Sequence, residues 1–138
     1  MPNDDDQSPA EYFYSEGMKY DLRQDEWPEA AALAKAAFER AADMGHLKAA
    51  RALAHYYYAG RGGPQDRERG LWNLWAAFNR GDQEALEELG DLLGSYSAEV
   101  QKPDEAKRAA RVADMIGDLN SGLEVVSTFM RELRKLAP

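Results

Sequence analysis

The residues of this 138-residue chain whose types could do chemistry are two histidines, a run of carboxylates, a glycine-rich loop and a set of tyrosines and tryptophans. His46 and His55 lie nine positions apart, there is no cysteine, and no third histidine stands at helical spacing to either. Transition-metal sites draw on Cys and His at short spacings, so neither a metal site nor thiolate chemistry is expected. Gly60-Arg61-Gly62-Gly63-Pro64 lacks the Gly-Lys-Ser/Thr ending with which a phosphate loop cradles a nucleotide, and no cofactor is expected. Glu84, Glu87, Glu88 and Asp91 could supply acid–base carboxylates. No nucleophile, base and orienting group assemble around them, however, and they read as a solvated helix face. Trp72 and Trp75 read as core, and Trp27 before Pro28 as a staple on the approach to a helix. The expectation is a binding protein and not an enzyme.

Apolar residues make up 44% of the chain and charged residues 30%, the composition of a folded, soluble domain. The net charge of -8 is unevenly spread. Residues 1–30 carry nine acidic side chains against two basic, residues 31–80 four against eight, and residues 81–138 twelve against seven. A chain this acidic is a poor match for phosphate backbones, so nucleic acid is not an expected partner. No apolar run approaches the roughly 20 residues of a membrane helix, so membrane insertion is not expected. The acidic, polar stretch Met1 to Asp6 has no basic segment followed by an apolar one, which points to a cytoplasmic protein. Removal of an earlier signal is the alternative left open.

The elements that would position a binding face are legible in the pattern. Ser8-Pro9-Ala10-Glu11 is a capping box with proline at the first helical position, opening a helix to about Leu22. Pro28 opens an alanine-rich helix to Met44, and a third runs from His46 to Ala59, where the glycine-rich loop breaks it. Asp66 caps a fourth, reaching Arg80, with Leu71, Leu74, Trp75 and Phe78 as one apolar stripe. The fifth spans Asp82 to about Gly94, the sixth Pro103 to about Ile116, and the seventh about Leu119 to Leu136. No segment alternates as a strand would.

These elements repeat. Gly45, Gly81 and Gly117 are spaced 36 apart, each ending one helical pattern just before the next begins. The same period relates Ala41, Ala77 and Ala113; Ala34, Gly70 and Ala106; Leu53, Leu89 and Val125; Ala49 and Ala85; and Pro28 and Pro64. Glycine enters the left-handed region without a Cβ penalty, which suits a helix end, and Asp82 or Asp118 after it can cap the next helix.

The stretch Ala49 to Gly81 resembles the Sel-one-like (SLR) repeat family, relatives of the tetratricopeptide repeats. Ala49, Leu53-Ala54, Tyr57, Gly60, the loop from Arg61 to Asp66, Ala76-Ala77 and Gly81 carry the resemblance. The following unit keeps Ala85, Leu89-Gly90, Ala109-Ala110 and Gly117, but has Leu93 for the tyrosine and Tyr96 for the glycine. The unit before keeps Ala34, Ala37, Ala41-Ala42 and Gly45. The resemblance implies an all-α fold, an α/α solenoid: a short right-handed superhelix of about three helix pairs plus a C-terminal capping helix. The expected organisation is a disordered acidic N-terminus over residues 1–8 and a single repeat domain over 9–138, with units at about 9–45, 46–81 and 82–117 and a last helix at 119–136. That last helix either covers the end of the solenoid or pairs with a second copy, giving a monomer or a weak homodimer. Tyr57 occupies a core column of the family, which puts at least part of Tyr56-Tyr57-Tyr58 in the core.

In such solenoids the first helix of each pair lines the concave surface. With the Leu53-Ala54 and Leu89-Gly90 columns as core, the opposite face carries Lys48, Arg51, His55 and Tyr58 on one helix and Glu84, Glu87, Asp91 and Gly94 on the next. The matching stripe on the first helix is Tyr12, Ser15, Lys19 and Leu22. One reading makes this a partner-binding groove with a basic, aromatic wall beside an acidic one, Tyr58 and His55 being its anchors. The other makes these side chains ordinary solvated charges. The expected function is a small adaptor for one dedicated protein partner. The alternative is an immunity or inhibitor protein that neutralises a toxin or effector enzyme, steered to it by acidic charge.

Overall fold

The computed structural model describes residues 8–99, and every described element is an α-helix or a turn. Five helices follow in order: α1 Pro9–Asp21, α2 Ala30–Asp43, α3 Leu47–Ala59, α4 Arg67–Asn79 and α5 Gln83–Glu99. The sixth and seventh helices expected from sequence lie outside the described residues. The chain divides into two compact units, Met1–Asn73 and Leu74–Pro138, with the boundary inside α4.

Side-chain caps start α1, α3, α4 and α5, whereas α2 starts without one. The Ser8 hydroxyl accepts from the Glu11 N–H at 3.1 Å and Pro9 follows it, so α1 begins where its capping residues put it. The return half of a capping box is not what Glu11 does, because its carboxylate reaches His46 instead. Asp66 accepts from the Arg69 N–H at 3.1 Å ahead of α4, and Asp82 from the Glu84 N–H at 3.2 Å ahead of α5. α2 begins at Ala30, two residues later than Pro28, because the chain from Tyr20 to Ala30 first makes turns, with Trp27 N–H to Arg23 O and Ala30 N–H to Trp27 O.

The 36-residue period has a physical form at two junctions. Gly45 takes φ 90° and Gly81 φ 107°, both left-handed. Gly45 N–H bonds Ala42 O and His46 N–H bonds Ala41 O; one period on, Gly81 N–H bonds Phe78 O and Asp82 N–H bonds Ala77 O. Both helices thus end in the same six-to-one and five-to-two closure, and the next residue caps the next helix. α3 also ends at a left-handed glycine, Gly60, φ 75°. The residue one period after Gly60 is Tyr96, no non-glycine residue among those described has positive φ, and α5 continues to Glu99. The helix therefore passes through Gly94, where sequence alone ends it: Leu93 and Tyr96 are both buried, and keeping them on one core face outweighs the helix propensity lost at one glycine.

In the first unit α1 packs on α2 and α2 on α3. Ala34, Phe38, Ala41, Ala49, Leu53, Tyr56 and Tyr57 form the buried cluster, with Phe13, Tyr14 and Tyr20 of α1 against it. Gly17 admits this arrangement, since a Cβ there would come within 2.6 Å of the Phe38 ring. In the second unit Leu74, Trp75 and Ala77 are buried, as are Ala85, Leu89, Leu93 and Tyr96 along α5 at helical spacing.

Candidate protein-binding surface

On α1, Tyr12, Lys19 and Leu22 share one outward face, with Ser15 half-buried between them. Leu22 is 80% exposed and Tyr12 46%. Met18, also exposed, falls on the edge of the same face and widens it to roughly a third of the helix circumference. Lys19 pairs with Glu16 at 3.2 Å, a surface contact that leaves its charge in water.

The stripe expected on α3 turns from solvent to core along its length. Lys48 is exposed, Arg51 and His55 are half-buried, and Tyr58 is buried. Tyr58, 9% exposed, is thus not the open aromatic anchor expected from its spacing. The reason is α4: a Cβ on Gly70 would come within 2.6 Å of Ala54 O and 3.0 Å of the Tyr58 Cβ, so α4 lies directly over this turn of α3. Gln65 closes the loop above by donating to Tyr58 O at 3.0 Å. Trp72 differs in the opposite sense. Trp75 is fully buried, but Trp72, one step off the Leu71, Leu74, Trp75 stripe, is 39% exposed.

On α5, Glu84, Glu87, Asp91 and Gly94 are all exposed, and Glu88 is half-buried. Three carboxylates spaced three and four apart make one acidic stripe on the outward side of a helix whose other side is apolar.

Two polar clusters tie the first unit together, and their sequence spacing concealed them. The Tyr56 hydroxyl donates to the Asp21 carboxylate and accepts from Gln24 Nε2 at 2.6 Å. Arg61 lies 4.5 Å over the Tyr56 ring, donates to Gln24 Oε1 at 3.2 Å and sits 3.4 Å from Asp21. Burial, and then the Asp21 carboxylate, hold the Tyr56 hydroxyl well above its ordinary pKa. The Tyr57 hydroxyl donates to Glu39 at 2.7 Å, while Lys35 and Arg69 each lie 4.4 Å from its ring centre. Burial, and then the Glu39 bond, push Tyr57 up to about 12. The only sequence signal for the Asp21 and Tyr56 pair is its separation of 35 residues, close to one repeat.

A third contact spans the same separation. His46 Nε2 lies 2.8 Å from the Glu11 carboxylate, its ring stacks on Tyr14 at 4.4 Å, and its Nδ1 accepts from the Ala49 N–H at 3.1 Å. Among the described residues no group of three or more His, Cys, Asp or Glu could hold a metal ion. Nor is any described helix long and apolar enough to cross a membrane. Comparison of the chain with family models, curated proteins and solved structures returns no match.

Proposed function

We propose that this protein is a non-catalytic interaction module, a small adaptor that binds one dedicated protein partner through an exposed helical face. The observation that carries the reading is the α1 face. Tyr12, Met18 and Leu22 leave large apolar surface in water beside Lys19, on a helix whose opposite side is packed against α2. Apolar side chains gathered on one face and rimmed by charge are the usual make-up of an interface core and its edge. The finer architecture belongs to the same reading: a right-handed Sel-one-like solenoid whose first helices line the concave side, in a cytoplasmic protein that is monomeric or weakly dimeric.

The test is affinity capture from the native cell with wild type, Tyr12→Ala/Leu22→Ser, and Glu84→Lys/Glu87→Lys/Asp91→Lys. The reading expects one protein recovered with wild type and lost with the α1 variant, whose helical circular dichroism stays that of wild type. Equal recovery with both variants would sink it.

The acidic stripe of α5 favours a second reading, an inhibitor or immunity protein docking on a basic toxin or effector surface. A neighbouring toxin gene, and recovery lost with the α5 variant but kept with the α1 variant, would select it over the adaptor.

A further inference from the structure

The junction at Gly45 and the junction at Gly81 share their backbone closure but differ in the residue that caps the next helix. Asp82 offers a carboxylate, which accepts hydrogen bonds throughout the neutral range. His46 offers Nδ1, which accepts only while it carries no proton. A backbone N–H can only donate, so the 3.1 Å contact from Ala49 N requires a bare Nδ1. The proton of the neutral ring then sits on Nε2, from which it donates to the Glu11 carboxylate at 2.8 Å.

We infer that His46 is a pH-conditional N-cap of α3: protonation of Nδ1 releases the Ala49 N–H while Nε2 keeps its bond to Glu11. Both ring nitrogens are engaged, Nε2 by Glu11 of α1 and Nδ1 by the first turn of α3. Of the ionisable groups from other elements, Glu11 and Tyr14 of α1 meet the ring, Tyr14 by stacking on it. Asp43 at the end of α2 and Lys48 in the first turn of α3 have exposed side chains. The charged ring is therefore still held to α1 while the start of α3 has lost its cap, so acid loosens that turn locally. The device is absent from the Asp82 junction, which shares the fold but not the imidazole.

The test is NMR of the 15N-labelled full chain from about pH 8 to about pH 5, the range in which histidine changes charge. At the alkaline end the ring nitrogens of His46 should report the Nε2–H tautomer. As the ring titrates, protection of the Ala49 amide, corrected for intrinsic exchange, should fall about fivefold, the loss expected for one side-chain cap. In His46→Asn, whose side-chain oxygen accepts at any pH, Ala49 protection should stay flat, with His55 still present as the control histidine. An Nδ1–H tautomer at the alkaline end, unchanged Ala49 protection in wild type, or an equal fall in His46→Asn would overturn the inference.

Discussion

The Tyr56 hydroxyl donates to the Asp21 carboxylate across 35 residues of chain, joining the end of α1 to the last turns of α3. Gln24 and Arg61 complete the cluster from the turns on either side. Because Asp21 and Arg61 are partly exposed, the ion pair itself contributes little. The buried hydroxyl bond is the stronger part. Tyr56→Phe and Asp21→Ala should each cost about 1–2 kcal/mol, and a double-mutant cycle by urea unfolding should return a coupling of about 1 kcal/mol. A coupling indistinguishable from zero would show the contact to be decorative.

Three glycines on helices sit in different surroundings, and alanine should separate them. At Gly70 the new methyl meets the Ala54 carbonyl and the Tyr58 Cβ, neither of which can swing away. At Gly17 it meets the Phe38 ring, which can tilt. At Gly94 nothing lies within 4 Å. Chemical denaturation should rank Gly70→Ala as most harmful, at about 1–3 kcal/mol, and Gly17→Ala below it. Gly94→Ala should stabilise by about 0.5–1 kcal/mol, since alanine loses less backbone entropy in a helix.

Alkaline titration should expose the buried tyrosine bonds. Tyr57 is raised from 10.0 to about 12, so its fold-stabilising contribution is complete below pH 10 and is lost as pH rises toward 12. Absorbance at the phenolate band after rapid pH jumps should show this tyrosine ionising late, and Glu39→Gln should bring it earlier. Ionisation of Tyr57 near 10 in wild type would contradict its burial and the Glu39 bond together.

Truncation should divide the aromatic residues by position. Trp75→Ala and Tyr58→Ala should each destabilise by about 3–5 kcal/mol, whereas Trp72→Ala should cost about 1 kcal/mol or less. Tyr12→Ala and Leu22→Ser should stay within about 0.5 kcal/mol of wild type, which makes them, and not Tyr58→Ala, fit probes of partner binding. Thermal unfolding checks all five.

How much of this was legible differs between element and face. Exposure is legible on α1 and α5, where Tyr12, Lys19, Glu84, Glu87 and Asp91 are exposed as their spacing implies. It is not legible at Tyr58 on α3, which α4 covers, and the clusters around Tyr56, Tyr57 and His46 carry no motif.

The sequence by itself determined where the described helices begin and end, apart from Gly94 and the two residues after Pro28. It did so because Ser8, Asp66, Asp82, Gly45, Gly60 and Gly81 act on backbone groups within a turn of themselves, and such interactions need no neighbour. Only the tertiary structure decided which aromatic residues face inward, which carboxylate each tyrosine meets and where α5 stops. Those outcomes depend on how closely another helix approaches, as α4 approaches Tyr58 over Gly70, and helical spacing places a side chain on a face without saying what covers that face.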